Sequence, residues 1–273
     1  MIAVFSEHAI NTCVQWAKSA YEKLSFRVIE YTMSRLYHDL YERALTDLWP
    51  HLPTEIDGGR IADLGCHDGV MSDILAATFP KSKVYGFGQS RQGMDRARSL
   101  SRDVSWVEMP PAGWADELRQ IAPGGFDLLI SHGGAPAGDD LTDIAQRFRP
   151  HIKKGGRLIV QVPVTLNGWM AILSGMADTQ ADDLKTFSEL TEIFPETEFD
   201  LKFWSSRYLQ VFDDLTDLAE FLMAQAARVN VALLAPTIED TYARLSGDNN
   251  VSATADGHGC AALEHVFLVA CRK

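Results

Sequence analysis

The chain has 273 residues, 46% of them hydrophobic, and 25 basic against 37 acidic side chains give a net charge of −12. That length buries a full core in one large domain, and so acidic a surface repels phosphate backbones and anionic lipid, which argues against nucleic-acid or membrane partners. Cys13, Cys66, Cys260 and Cys271 lie far apart with no CxxC pair, no apolar run is long enough for a membrane span, and MIAVFSEHAI lacks the basic start of a signal peptide; we expect a soluble, cytoplasmic protein without disulfide framework or metal.

In chain order, the first fifty residues read as helices. From Met33 the apolar positions Tyr37, Leu40, Tyr41, Ala44, Leu45 and Leu48 recur at steps of three and four, an amphipathic stripe. Pro50 and Pro53 end it, and Asp57-Gly58-Gly59 marks a turn. We assign residues 1–56 to an N-terminal helical cap and 57–273 to the main domain.

The pattern then alternates. Strands are predicted at Arg60–Leu64, Lys83–Phe87, Val104–Glu108, Phe126–His132 and Arg157–Val162, with helices at Val70–Phe79, Arg91–Leu100, Gly113–Ile121 and Thr142–Phe148 between them. Phe126–His132 is nearly free of polar residues, as a strand buried on both faces requires. Lys153-Lys154-Gly155-Gly156 reads as the turn into the fifth strand. Such alternation implies a parallel sheet of right-handed βαβ units. After Pro163 we expect a helix at Asp182–Ile193, an extended segment at Phe199–Phe212, a helix at Leu215–Ala227, a polar loop at Ser246–Gly259 and a last strand at Glu264–Cys271. The late helices read as insertions, at about 164–198 and 213–259, that shape a substrate pocket.

The most informative segment is Arg60-Ile-Ala-Asp63-Leu-Gly65-Cys66-His67-Asp68-Gly69. A strand ends on a carboxylate, a glycine turn follows, and a helix begins near Gly69, with Asp68 as its expected cap. In open parallel sheets ligands bind beyond the carboxyl ends of the strands, and a glycine turn lets the backbone approach them. The glycines Gly65 and Gly69 do not fit the dinucleotide GxGxxG, so a nicotinamide cofactor is disfavoured.

This turn resembles motif I of class I S-adenosylmethionine (SAM)-dependent methyltransferases, an acidic residue followed by GxGxG. From Arg60 through Arg98, and at Gly155-Gly156-Arg-Leu-Ile-Val-Gln161-Val-Pro163, the chain looks like the trans-aconitate methyltransferase family. Trp204-Ser-Ser206-Arg-Tyr208 matches the W-x-[ST]-x-Y stretch typical there, and Val266–Arg272 fits the closing strand. The resemblance implies a Rossmann-like α/β fold with a seven-stranded, mostly parallel sheet. It implies SAM as cofactor, S-adenosylhomocysteine as product, and a small-molecule substrate. Cofactor contacts are then expected from Asp63, Gly65, Cys66, His67, Gly69, Gly88, Gln89, Ser90 and Ser131.

Four positions depart from the family pattern. His67 stands at the middle glycine, Gly88 at the acidic residue that holds the ribose hydroxyls, Pro110 at an Asp that reads the adenine, and His132 at an Asn after the fourth strand. His67 is either a plain loop residue or a base; His132, at the mouth of the fourth strand, is the other candidate base. Trp169, Trp204 and Tyr208 are core aromatics or an aromatic wall for a sulfonium or planar substrate, and the family gives Tyr208 a place at the catalytic site. Arg207 is a solvated strand residue or a clamp for a substrate carboxylate. We therefore expect methyl transfer to a small, carboxylate-bearing molecule by a monomer or homodimer. The alternatives are SAM chemistry without methyl transfer (cyclisation, elimination or a pericyclic step) and a non-catalytic binding protein.

Overall fold

The computed structural model describes residues 46–89, 91–109, 114–132, 141–164, 169, 183–212, 217–219, 222, 241, 251–253 and 258–273. Five strands pair in parallel: β1 (Arg60–Leu64), β2 (Lys83–Gly88), β3 (Val104–Glu108), β4 (Phe126–His132) and β5 (Ile152–Val162). Helices α1 (Val70–Thr78), α2 (Arg91–Leu100), α3 (Trp114–Ile121) and α4 (Leu141–Phe148) alternate with them, and α5 (Asp183–Ile193) follows. Two long strands, β6 (Phe199–Phe212) and β8 (Gly259–Arg272), complete the sheet, with β8 antiparallel to both β5 and β6.

The sheet order is β3-β2-β1-β4-β5-β8-β6, and the short β7 (Val251–Ala253) pairs with β8. The expected seven strands thus form one path, with β7 as an eighth beside it. Sequence order reverses between β1 and β4, and that switch point leaves a crevice beyond the carboxyl ends of the two strands.

Each sheet face has its own core. Ile61, Val84, Leu128, Ile130, Ile159, Phe267 and Val269 pack on one side with Met71, Ile74 and Leu75 of α1. Leu48 and Leu52, just before the first strand, join this layer. Ala62, Leu64, Phe87, Leu129, Leu158, Val160 and Leu268 face the other way, against Trp114 and Leu118 of α3 and Ile144 and Phe148 of α4. The inner strands read as continuous apolar runs because both faces are covered.

Several boundaries differ from expectation. The residues read as a turn before β5 belong to the strand: β5 starts at Ile152, and its register against β4 shifts between Phe126 and Leu128, with Gly155 at φ 77°. A bulge absorbs the glycines without ending the strand. The last strand begins at Gly259, because the small residues Cys260, Ala261 and Ala262 pair with β6 as regularly as the apolar run after them. Val251–Ala253, placed in a loop by its polar surroundings, pairs with Gly259–Ala261. Of the N-terminal helices, Thr46–Leu48 and the single 3-10 turn Trp49–His51 are described, and the stripe from Met33 to Leu45 lies outside the described residues. The helix expected at Leu215–Ala227 is described at 217–219 and 222, where it is helical.

The start of α1 is set by close approach. Gly69 holds φ 88°, and a Cβ there would lie 2.8 Å from the Ala97 Cβ of α2 and 2.5 Å from the Trp106 ring of β3. Gly69→Ala therefore combines a left-handed backbone penalty with overpacking. We expect it to cost about 2–4 kcal/mol, read as a lower urea midpoint at unchanged slope.

Candidate active site

The turn after β1 is built from its backbone. Gly65 (φ 74°), His67 (φ 48°) and Gly69 (φ 88°) all adopt the left-handed conformation. The N–H groups of Gly65 and Cys66 both donate to Phe87 O at 2.8 Å, and Gly69 N–H closes the turn onto Cys66 O at 2.8 Å. Two of the loop donors expected to face a cofactor thus serve the β1–β2 junction. Gly69 itself is the helix cap, and no side chain caps it, so Asp68 does not fill the capping role expected for it.

His67 holds a backbone conformation that glycine adopts most readily, at the cost of left-handed strain in a residue with a Cβ. His67→Gly relieves that strain but adds chain entropy to the unfolded state. We expect a net gain of up to about 1 kcal/mol in urea unfolding.

Asp63, the penultimate residue of β1, has its carboxyl almost wholly buried, accepting a hydrogen bond from Ser72 Oγ of α1 at 2.6 Å. Burial raises its pKa from the usual carboxyl range to about 7, against the Ser72 hydrogen bond, and the charge of Asp68 adds to the rise. A carboxylate accepts several hydrogen bonds, so the contact with Ser72 leaves capacity for a cationic group. Because its folded pKa lies above the unfolded one, the folded protein binds the extra proton between about pH 4 and 7, and this group's contribution to stability falls as pH rises through that window. Asp63→Asn keeps a Ser72 partner without the charge. Its stability relative to wild type should rise from pH 5 to pH 8, measured by urea titration at each pH.

Beside it, Cys66 is buried with Sγ 3.8 Å from Met94 Sδ, and burial raises its thiol pKa. The same Met94 occupies the room next to Gly88: a Cβ at Gly88 would overlap Met94 Sδ and lie 3.4 Å from Cys66 Sγ. The missing acidic residue thus has a steric counterpart, since the volume a side chain would need is filled by sulfur atoms. Gln89 is exposed just past β2, and Ser90 and Pro110 lie outside the described residues. Ser131 is buried and pairs with Val160, on the sheet face opposite His132 by strand alternation.

Further along the carboxyl edge a polar group gathers. His132 pairs in register with Gln161, and Gln161 with Phe267, so all three side chains share one sheet face. Gln161 Nε2 contacts His265 Nδ1, and the Tyr208 ring meets the His265 ring edge-on at 5.3 Å between centroids. The Tyr208 hydroxyl donates to Asp47 Oδ2. Trp204 stacks on Phe267 at 5.0 Å and packs against His51 at 4.5 Å. Burial lowers the pKa of His132 to about 3, with His265 and His67 adding to the shift, and that of His265 to about 4 against the pull of Asp47.

The structure therefore brings His132, Tyr208 and Trp204 to one face. It also adds His265, Gln161 and Asp47, which our sequence reading did not single out as site residues. The register of β8 against β5 and β6 was the missing signal, because sequence places His265 within a strand but does not say what stands beside it. Arg207 is exposed on the opposite face of β6, in register with Glu264, so it is not brought together with Trp204 and Tyr208. Trp169 is fully buried, as a core aromatic is.

Strand order, switch point and glycine turn define a Rossmann-like fold of the class I SAM-dependent methyltransferase type. YcgJ of Bacillus subtilis superposes with a TM-score of 0.58 at 11% identity, over 85% of this chain and 98% of that one. A Bacillus halodurans C-125 protein described as a methyltransferase candidate gives 0.56 at 14% identity, over 84% and 98%. In sequence the chain resembles the trans-aconitate methyltransferase family. It is 24% identical over 251 residues to trans-aconitate 2-methyltransferase of Azoarcus sp. strain BH72, covering 86% of this chain and 96% of that protein. It is likewise 24% identical over 230 residues to the enzyme of the same name from Acidovorax ebreus, covering 78% and 86%. No protein-family model matches the chain.

Proposed function

We propose that this protein is a SAM-dependent methyltransferase that methylates a carboxylate oxygen of a small molecule. The observation that carries the acceptor class is the neutrality of the polar face beside the switch point. His132 and His265 are held uncharged with pKa values of about 3 and 4, so neither is a proton acceptor suited to neutral pH. A hydroxyl or carbon acid must give up a proton as the methyl group arrives, which so weakly basic a ring assists poorly; a carboxylate, already ionised, has none to give. The sequence relatives named trans-aconitate 2-methyltransferase fit the same acceptor class.

When bound, SAM supplies a methyl group on a sulfonium, which a carboxylate oxygen takes by forming C–O as C–S breaks, the electron pair staying on sulfur and no proton moving. The residues around the turn fit this cofactor: Asp63 would present a buried carboxyl to an ammonium, and the turn carries no side chain at Gly65 or Gly69. The chain's own part is alignment and exclusion of water. Trp204, His51, Leu48 and Leu52 close the face from the side of the N-terminal segment.

A panel of mono-, di- and tricarboxylic acids including trans-aconitate, incubated with SAM and analysed by mass spectrometry, tests the reading. One methyl ester per S-adenosylhomocysteine supports it. Release of methylthioadenosine, or methylation of hydroxyls or amines only, overturns it. The cofactor half has a separate signature. If an ammonium requires ionised Asp63, SAM affinity rises roughly tenfold per pH unit below pH 7 and levels off above it. Calorimetry in buffers of different ionisation enthalpy should then show proton release, absent in Asp63→Asn.

A further inference from the structure

One ring nitrogen of His265 is engaged: Gln161 Nε2 contacts Nδ1. With the Gln161 amide in this orientation its N–H donates to Nδ1, which places the proton of a neutral ring on Nε2. The ring is more than nine-tenths buried, Gln161 likewise, and Tyr208 braces it edge-on while giving its own hydroxyl to Asp47. His265 lies one residue past the pair Val162–Val266, where β5 ends, so it stands at the carboxyl edge of the sheet, two residues beyond Phe267 and on the face that also holds His132 and Gln161. The titratable groups around it are Asp47 from the segment before β1, Tyr208 from β6 and His132 from β4.

Resting on the carboxylate-methyltransferase reading, we propose that His265, fixed by Gln161 and Tyr208, receives the methyl acceptor by donating Nε2–H to the non-attacking oxygen of its carboxylate. A neutral donor suits this reaction better than a cation. The carboxylate loses its charge as the methyl group arrives, so an arginine or lysine partner would stabilise the ground state more than the transition state. A neutral N–H orients the acceptor and forfeits little of that energy as charge is consumed. The exposed Arg207, on the other face, is then not required for acceptor binding. Gln161 and Tyr208 are positioning residues: Gln161 selects the tautomer and Tyr208 the ring plane.

The test is kinetic and spectroscopic. With the panel acid turned over fastest by wild type, His265→Phe should raise KM about tenfold or more, the loss of one hydrogen bond to a charged group. His265→Gln, which retains an N–H donor, should recover most of that loss, and SAM affinity should stay within about twofold in both. Gln161→Leu frees the tautomer and should raise KM less than His265→Phe. On S-adenosylhomocysteine-loaded protein, trans-aconitate should move the His265 Nε2–H resonance, assigned by its absence from His265→Phe. Ester formation with unchanged KM in His265→Phe overturns this inference and leaves the methyltransferase reading standing. Methylation of hydroxyls or amines alone overturns both. If wild type methylates nothing, an unmoved Nε2–H resonance under trans-aconitate overturns the inference, and a moved one supports it as a binding site.

Discussion

The placement of β1 between β2 and β4 is the constraint on which the rest depends. Its register sets Asp63 opposite Gly86 on one side and Ile130 on the other. The carboxyl of Asp63 is buried and tied to Ser72 in the next helix. Ser72 donates to it through both hydroxyl and backbone N–H, and burial still raises its pKa to about 7, a desolvation cost that these two hydrogen bonds do not offset. On the proposed function, a cationic ligand at the switch point would offset that cost.

Much of this was legible in sequence, because the relevant signals are local. Five parallel strands and their helices follow from apolar runs separated by glycine turns, and Arg91–Leu100, Val104–Glu108 and Phe126–His132 match to the residue. What sequence could not carry was contact between distant segments. His265 and Gln161 are 104 positions apart, and Tyr208 and Asp47 are 161 apart. Such pairs exist only once β8 is threaded between β5 and β6. Arg207 illustrates the same limit from the other side. It is adjacent to Tyr208 in sequence, and strand alternation sends it to the opposite face.

The departures from the family motif are not all of one kind. His67 is a substitution the backbone tolerates under strain, since φ stays positive at 48°. Gly88 is different: Met94, itself fully buried, fills the volume its side chain would need and meets Cys66 behind it. A carboxylate at Gly88 therefore requires the flexible end of Met94 to move aside, so Gly88→Asp is cleanest when paired with a smaller residue at 94.

The face proposed to receive the acceptor is also where the segment before β1 is fastened to the sheet. Leu48 and Leu52 enter the core, the His51 ring packs tilted against Trp204 while its carbonyl accepts from Arg157, and Asp47 accepts from the Tyr208 hydroxyl. These contacts join apolar burial to polar fixation at the residues that orient His265. Anything that loosens the segment disturbs the acceptor side first, because Asp63 and the glycine turn are held by β2 and α1 and do not depend on it. Asp63 with its glycine turn and the His265 cluster therefore rest on separate supports within one sheet, and Phe267, in register with both Gln161 and Trp204, ties the second together.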